Sequence, residues 1–239
     1  MKKEAVSHIE MILAFVLFAS AVGFGLYFLN PVNSERLTET TMDYIYREIS
    51  KEVSVGVESF SVKIEEDHSG QTILIDVGSI GDRNVRVEDM NGREIDSLIF
   101  DAIPPKRIMI KGKTGGDYFV LVKLSEDLPV RASPIEPKET GDYVVASSNY
   151  EEVFSENKIN DLRDSYNSDY PALKQKFNIP DRTDFDFKLV FPETSPPKED
   201  ITTEGKIPES LEVFSTVRRV EVLTSEGETV FAELTIRLW

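Results

Sequence analysis

The sequence contains no cysteine and only two histidines, His8 and His68. The missing thiols exclude disulfide bonds, thiolate nucleophiles and zinc sites built on cysteine. Two imidazoles leave almost no material for a histidine-rich metal site or for a Ser-His-Asp triad. Hydrophobic residues make up 40% of the chain, so the folded part must be stabilised by burial of apolar side chains alone.

Basic residues are also scarce. The chain has 27 lysines and arginines against 43 aspartates and glutamates, which gives a formal net charge of -16. Residues 1–29 hold two lysines and two glutamates, so the whole excess of negative charge lies downstream. Because an acidic surface of this kind repels phosphate backbones, nucleic acid is not an expected partner. We expect no cofactor either.

One long stretch, residues 11–29, carries no charge over nineteen positions. As an α-helix, residues 9–29 would span about 31 Å, which matches the hydrocarbon core of a bilayer. Lys2 and Lys3 precede this segment, and the residues after it are polar and slightly acidic, so the positive-inside rule places the N-terminus in the cytoplasm. The sequence therefore predicts a single-pass protein of the cell membrane, with a transmembrane helix over 6–29 and an extracellular C-terminal domain.

A glutamate, Glu10, stands at the start of the apolar run and allows three interpretations. In the first, the segment is a plain signal anchor whose carboxylate reaches water at the interface. In the second, it is a secretory signal peptide, because residues 19–21 form an A-x-A cleavage pattern that would leave Val22 as the first residue. The third interpretation depends on the residues that precede Glu10.

Residues 2–29 combine two lysines, the small residue Ala5, a short segment that carries Glu10, and an unbroken apolar helix. This order resembles the class III signal peptide of archaeal type IV pilin-like proteins. The resemblance implies a leader of residues 1–5 that a prepilin peptidase removes between Ala5 and Val6. Glu10 then becomes the fifth residue, where that family carries a glutamate. The implied partners are other pilin-like subunits, the prepilin peptidase, an assembly ATPase with its membrane platform, and membrane lipid.

A carboxylate inside lipid is costly, at about 2.5 to 3.5 kcal/mol in the middle of a helix and less near the interface. In type IV pilin-like proteins, the proposed partner of this carboxylate is the new α-amine of a neighbouring subunit. Two spacings of small residues, Ala19 to Gly23 and Ala21 to Gly25, would let such helices approach closely, although both spacings also arise by chance in membrane helices. We predict that these residues form the assembly site.

Beyond the apolar segment, the pattern predicts an α+β domain that is rich in antiparallel strands. A membrane-proximal helix is expected within 30–55, at about 34–53, because Met42, Ile45, Ile49 and Val53 share one helical face. Region 56–130 is predicted to hold five or six strands. Three hairpins are expected among them. The first joins 60–64 to 72–78, the second turns at residues 91–92, and the third turns at 112–116.

Region 131–239 is predicted to complete the same domain. A proline-rich connector through residue 142 leads to two helices, the first capped by Ser155 and the second by Asp169. A strand over 184–191, a proline-rich loop and a closing hairpin that turns near Gly227 follow.

No motif in this domain assembles an active site. The Gly-Lys-Thr-Gly-Gly segment at 112–116 lacks the upstream glycine of a phosphate loop, and the aspartates at 181, 184 and 186 are interpreted as a solvated surface rather than a calcium site. We therefore expect a non-enzymatic type IV pilin-like subunit, a minor pilin or pseudopilin of a surface filament or of a secretion or adhesion apparatus. The alternative is a stand-alone anchored extracellular binding domain that does not polymerise. An enzyme would instead need two facing carboxylates about 5 to 9 Å apart.

Overall fold

The computed structural model describes residues 3–28, 31–65, 71–100, 106–112, 117–130, 142–192, 197–203, 205, 207–208 and 212–239. In the first two helices, side chains are described from 8 to 27 and from 38 onward. The helices are α1 (Lys3–Phe28), α2 (Pro31–Val53), α3 (Glu156–Ser168) and α4 (Tyr170–Lys176). The strands are β1 (Ser54–Ile64), β2 (Thr72–Ile75), β3 (Asn84–Asp89), β4 (Glu94–Ile95), β5 (Ser97–Phe100), β6 (Arg107–Lys111), β7 (Tyr118–Ser125), β8 (Tyr143–Ser155), β9 (Phe185–Val190), β10 (Ile201–Thr202), β11 (Phe214–Leu223) and β12 (Thr229–Leu238).

The chain thus consists of an N-terminal apolar helix, a second helix, and a β-rich domain with two further helices. A curled nine-stranded sheet has the order β10-β9-β12-β11-β8-β1-β7-β3-β4, and a three-stranded sheet has the order β2-β6-β5. The large sheet consists of two antiparallel halves, which meet where β8 and β11 run parallel. This junction contains only two residue pairs, Phe154 with Val222 and Ser155 with Leu223, whereas β1 and β8 pair over eleven.

The predicted hairpins have different outcomes. The turn at residues 91–92 is confirmed, because it joins β3 to β4 with Gly92 at a φ of 73°. The hairpin between 60–64 and 72–78 is wrong, since β1 pairs with β7 and β8 whereas β2 pairs with β6. The hairpin across 112–116 is also wrong, because β6 and β7 belong to different sheets. Alternation located these strands, but their partners are set by packing between two sheets.

Two large apolar cores and one small cluster result from this arrangement, and the small cluster consists of Val55, Val57, Leu128, Val153 and Leu223. In the first half of the domain, one core lies between the two sheets, and it includes Phe60 and Val62 of β1, Ile73 of β2 and Ile108 of β6. In the second half, α2, α3 and α4 cover the sheet formed by β9, β11 and β12. The predicted face of α2 lies in this second core, where Ile45 and Val53 are fully buried.

The C-terminal helices begin as predicted. The Ser155 side chain accepts a hydrogen bond from the backbone N–H of Lys158, and Asp169 accepts one from Ala172. The closing hairpin is confirmed as β11 and β12, which pair over ten residues and turn at Gly227. The sequence did not predict the long strand β8, and the predicted proline-rich loop contributes β10, which pairs with β9.

Candidate functional site on the apolar helix

Helix α1 presents its apolar side chains to the surroundings rather than to the domain. The span His8–Tyr27 is long and apolar enough to cross a membrane, and none of it is buried. Large side chains such as Phe15, Phe18 and Leu26 are each more than 60% exposed. In water such a surface would be unfavourable by about 25 cal/mol per Å². A helix of this kind near the N-terminus is compatible with a single-pass membrane anchor or with a signal sequence.

Glu10 lies near the start of α1, and its side chain is exposed. The backbone of Ala5 and Val6 is helical, so α1 runs without a break across the predicted cleavage point, while the side chains of both residues lie outside the described part. Glu10 follows Ala5 by about 7.5 Å along the helix axis at 1.5 Å per residue. No described residue of the domain contacts this carboxylate through an ion pair or hydrogen bond.

The two pairs of small residues lie on different faces of α1. At about 100° per residue, Ala21 is rotated by about 20° from Glu10 and Gly25 by about 60°, so this pair shares the face of Glu10. Ala19 and Gly23 lie at about 180° and 220°, on the opposite face. A side-chain carbon built at either glycine would meet nothing within 4 Å. The helix therefore carries a pair of small residues on each of two opposite faces, only one of which carries the acid.

Ala14, which is not among the residues predicted from the sequence, is rotated by about 40° from Glu10 and lies on the same face. Together with Ala21 and Gly25 it gives that face three small residues, which alternate along the helix with bulky residues such as Leu17 and Phe24. The signal was present in the sequence, because helical rotation alone identifies this face once the helix is assumed.

A group of charged side chains is buried together in the first half of the domain. Arg86 donates to Glu88 at 2.7 Å, and Lys123 lies 2.9 Å from the other oxygen of the same carboxylate, with all three side chains largely buried. This group ties β3 to β7 beneath the β11–β12 turn, whose Glu226 carbonyl also accepts from Arg86. No local sequence pattern indicates this group, and its geometry is that of a structural ion-pair network.

The aspartates considered as a calcium site do not converge. Asp184 lies 2.9 Å from Lys174, and Asp186, only 1% exposed, pairs with Arg237. Among the described residues, no group of three or more acidic or histidine side chains could hold a metal ion. His68 and its neighbours, and residues 113–116 of the glycine-rich segment, lie outside the described residues.

Beside Asp184 and Asp186, two tyrosines pack against each other with ring centroids 4.6 Å apart. The Tyr166 hydroxyl donates to the Phe185 carbonyl at 2.7 Å, and the Tyr170 hydroxyl accepts from the Phe185 N–H at 2.9 Å. Burial is the main cause that raises the pKa of both tyrosines above the ordinary range, and the nearby aspartates act in the same direction. These hydroxyls therefore stay protonated and hold α3 and α4 on β9.

Two surface grooves flank the end of α2. The first, of about 490 Å³, lies between α2, α3 and α4, where Lys176 pairs with Glu52 and Lys158 donates to the Ser54 carbonyl at 2.8 Å. The second, of about 520 Å³, lies between α2 and the start of β1 and is bordered by Tyr46 and Arg47. Neither groove is lined by a histidine, and in the first the basic groups are engaged by structural contacts.

Comparison of the chain with protein-family models, with curated proteins and with solved structures finds no significant match. The features that bear on function are therefore those of α1 itself.

Proposed function

We propose that the protein is a membrane-anchored type IV pilin-like subunit, with its N-terminus in the cytoplasm and the β-rich domain displayed outside. The observation that carries this proposal is the full exposure of the apolar span His8–Tyr27, with a single acid, Glu10, near its start. Such a helix needs lipid or other helices around it, and the acid needs a cation. Both needs are met together in a bundle of identical helices.

The proposed mechanism begins with cleavage between Ala5 and Val6 by a prepilin peptidase. The reaction would create a positively charged α-amine on Val6, within about one and a half helical turns of Glu10. An amine from one subunit and the Glu10 carboxylate of its neighbour then offset each other's cost in the membrane. The assembly ATPase and its membrane platform would drive the extrusion of such a bundle.

The connection between α1 and the domain supports a role in display. Helix α2 follows α1 closely and is anchored by buried Ile45, Ile49 and Val53 before it leads directly into β1. The second half of α2 is therefore part of the domain's core and continues into β1 without an intervening loop. The domain, with twelve described strands and two added helices, is elaborate, and we assign the chain a minor pilin or pseudopilin role.

Replacement of Glu10 by glutamine tests the proposal. The variant keeps the side-chain shape but removes the charge, so we expect it to insert in the membrane and fail to assemble. Glu4→Gln is the matched control, because it removes the same charge from the leader that cleavage discards. Cross-linking of native membranes, followed by size analysis, measures the outcome. If Glu10→Gln assembles as the native protein does, Glu10 does not drive assembly and the proposed mechanism is wrong. If neither protein forms cross-linked species, the protein is an anchored domain that does not polymerise.

A second pair of variants tests the face of the helix. Ala21→Leu adds a large side chain to the face of Glu10, whereas Ala19→Leu adds the same group on the opposite face. If the Glu10 face is the contact, Ala21→Leu should reduce assembly far more than Ala19→Leu, since close approach depends on small residues. Equal effects would contradict an assembly contact through this face.

A further inference from the structure

Strand β8 is uncovered on its outer edge and on both faces over much of its length. Its inner edge pairs with β1 over residues 143–155, while its outer edge pairs with β11 only at Phe154 and Ser155. Residues 144–150 are all exposed, although successive residues of a strand point to opposite faces. Within the part of the chain that the structure describes, the outward backbone groups of residues 147–152 have no hydrogen-bond partner.

This edge lacks the features that commonly protect an exposed strand. Such edges are short, contain proline, or carry lysine. Strand β8 has 13 residues with neither proline nor lysine among them. A bulge at Ala146, where the pairing with β1 shifts by one residue, divides the edge. The uninterrupted part beside the β11 junction is therefore residues 147–152, which is about 20 Å long and can accept one added strand of about six residues.

Two adjacent carboxylates lie at the β11 end of this uninterrupted edge. Glu151 and Glu152 follow one another in the strand, so their side chains point to opposite faces of the sheet. Among the described residues, neither side chain takes part in an ion pair or a hydrogen bond. The preceding residues 147–150 are uncharged. The edge thus combines an uncharged stretch with one negative charge on each face at its end.

The cations around these two acids have other partners. Arg47 and Lys51 border the same groove as Glu152. Lys51 pairs with Glu48 at 2.6 Å, and the Arg47 guanidinium lies 6.0 Å from the centre of the Tyr44 ring. The two arginines of β11 are likewise held by an aspartate and by aromatic rings. Both glutamates of the edge can therefore accept a cation from another molecule.

We propose that residues 147–152 bind an extended segment of another protein, which adds to β8 as an antiparallel strand and places two consecutive lysines or arginines opposite Glu151 and Glu152. Two consecutive cations are needed because the two glutamates lie on opposite faces, and opposite charges on facing strands stabilise the pairing. The rest of the segment is uncharged, to match residues 147–150. Antiparallel pairing is favoured because it is the more stable of the two ladders per residue.

Charge selects this occupant over a second copy of the chain. A protein of net charge -16 attracts a basic segment over a distance and repels copies of itself. The bulge at Ala146 does not interfere, because the added strand ends before it. The main-chain hydrogen bonds of the added strand would supply affinity, and the two cations would supply specificity.

Synthetic peptides test this proposal with the full chain in micelles of a neutral detergent. The chain carries Glu10→Gln, so that association through α1 does not contribute. The cationic probe is a blocked, dye-labelled hexapeptide of sequence Lys-Lys-Val-Thr-Val-Thr, and its fluorescence anisotropy measures binding. The acidic probe has two glutamates in place of the lysines. The proline probe has two prolines in place of the central Val-Thr pair, which removes consecutive backbone N–H groups.

We expect the cationic probe to bind saturably, and the acidic and proline probes to bind at least about tenfold more weakly. Glu151→Lys combined with Glu152→Lys should reverse the preference, so that the acidic probe binds more tightly than the cationic one. Asp161→Lys combined with Glu233→Lys is the matched control, because it makes the same change in net charge at exposed acids of α3 and β12. This control should keep the native preference. The fluorescence of Trp239 checks that each variant is folded.

Several results would overturn the proposal. These are equal binding of the cationic and acidic probes, equally tight binding of the proline probe, the same effect of both charge reversals, and no saturable binding of any probe. A native chain that dimerises through this edge and excludes the cationic probe would identify a second copy as the occupant and would overturn the proposal as well. None of these results bears on the role proposed for Glu10.

Discussion

The stability of the β-rich domain should depend on Ile45, although this residue belongs to the helix that follows the membrane segment. Ile45 is 0% exposed and lies in the core that also contains Phe154, Val222 and Leu234. Its replacement by alanine removes three carbon groups from a site that the surrounding sheet cannot readily refill. The expected result is a large loss of free energy of unfolding.

The magnitude follows from the burial. Each buried carbon group contributes about 0.8 kcal/mol, so the transfer part of the loss is about 2.4 kcal/mol. The remaining cavity raises the total to about 3 to 4 kcal/mol, within the range measured for large-to-small substitutions of this type. That is a substantial part of the 5 to 15 kcal/mol by which ordinary domains are stable. Glu39→Ala, at an exposed position of the same helix, should change the free energy of unfolding by less than about 0.5 kcal/mol.

Guanidinium unfolding in detergent micelles measures the difference. The single tryptophan, Trp239, reports on the domain, because its backbone exchanges two hydrogen bonds of 2.9 Å with Asp184 beside β9. We expect the Ile45→Ala midpoint to fall by about 1 M relative to the native chain. A loss below about 1 kcal/mol would mean that α2 is not part of the core. The domain would then be joined to α1 by a loose tether.

Three further predictions concern the domain. Arg237→Met should lower the free energy of unfolding by about 3 kcal/mol, because it leaves the Asp186 carboxylate buried without its cation. Adding Asp186→Asn should recover part of that loss, and failure to recover any would refute the ion-pair explanation. Gly227→Ala should lower the free energy of unfolding by about 2 kcal/mol and Gly92→Ala by about 1 kcal/mol. Both glycines have positive φ, but only at Gly227 would the new side-chain carbon lie 3.1 Å from neighbouring side chains. Equal losses in the two variants would contradict this explanation. Burial raises the pKa of Tyr166 above its ordinary 10.0, so the stability that this residue provides is complete below pH 10 and is lost as the pH rises further. The free energy of unfolding of Tyr166→Phe should therefore fall less between pH 9 and 11 than that of the native chain. An unchanged pH profile would contradict this explanation.

Local patterns predicted the parts of the fold that have local causes. The apolar face of α2 follows from helical spacing. The caps at Ser155 and Asp169 follow from side chains that accept a hydrogen bond from a backbone N–H three residues further along the chain. The turn at Gly92 follows from a residue that tolerates positive φ. Each of these depends on residues within a few positions of one another.

The parts that failed depend on distant residues. Strand β8 escaped prediction because its residues 144–150 are exposed, so its sequence lacks the alternation that marks a half-buried strand. Its structure comes from β1, which supplies its hydrogen-bond partners. The pairing of β2 with β6, rather than with β1, likewise reflects the second sheet that covers the first core.

The candidate site was more accessible to sequence analysis than the fold. Glu10, the apolar run and the small residues are all contiguous, and helix geometry places Ala21 and Gly25 on the acid's face. The cation that would offset Glu10 could not be located in this way, because the proposed partner belongs to another molecule. The Arg86–Glu88 pair was equally inaccessible, since its burial depends on three strands and a distant turn.

The identity of the first residue of the mature protein in native membranes tests the central claim most directly. Mass spectrometry of the N-terminal peptide should find Val6, which places a free amine close to Glu10 and supports assembly through that pair. An intact Met1 would instead indicate a plain anchor. Val22 would indicate an ordinary signal peptide that removes Glu10 altogether, and either result would contradict the account.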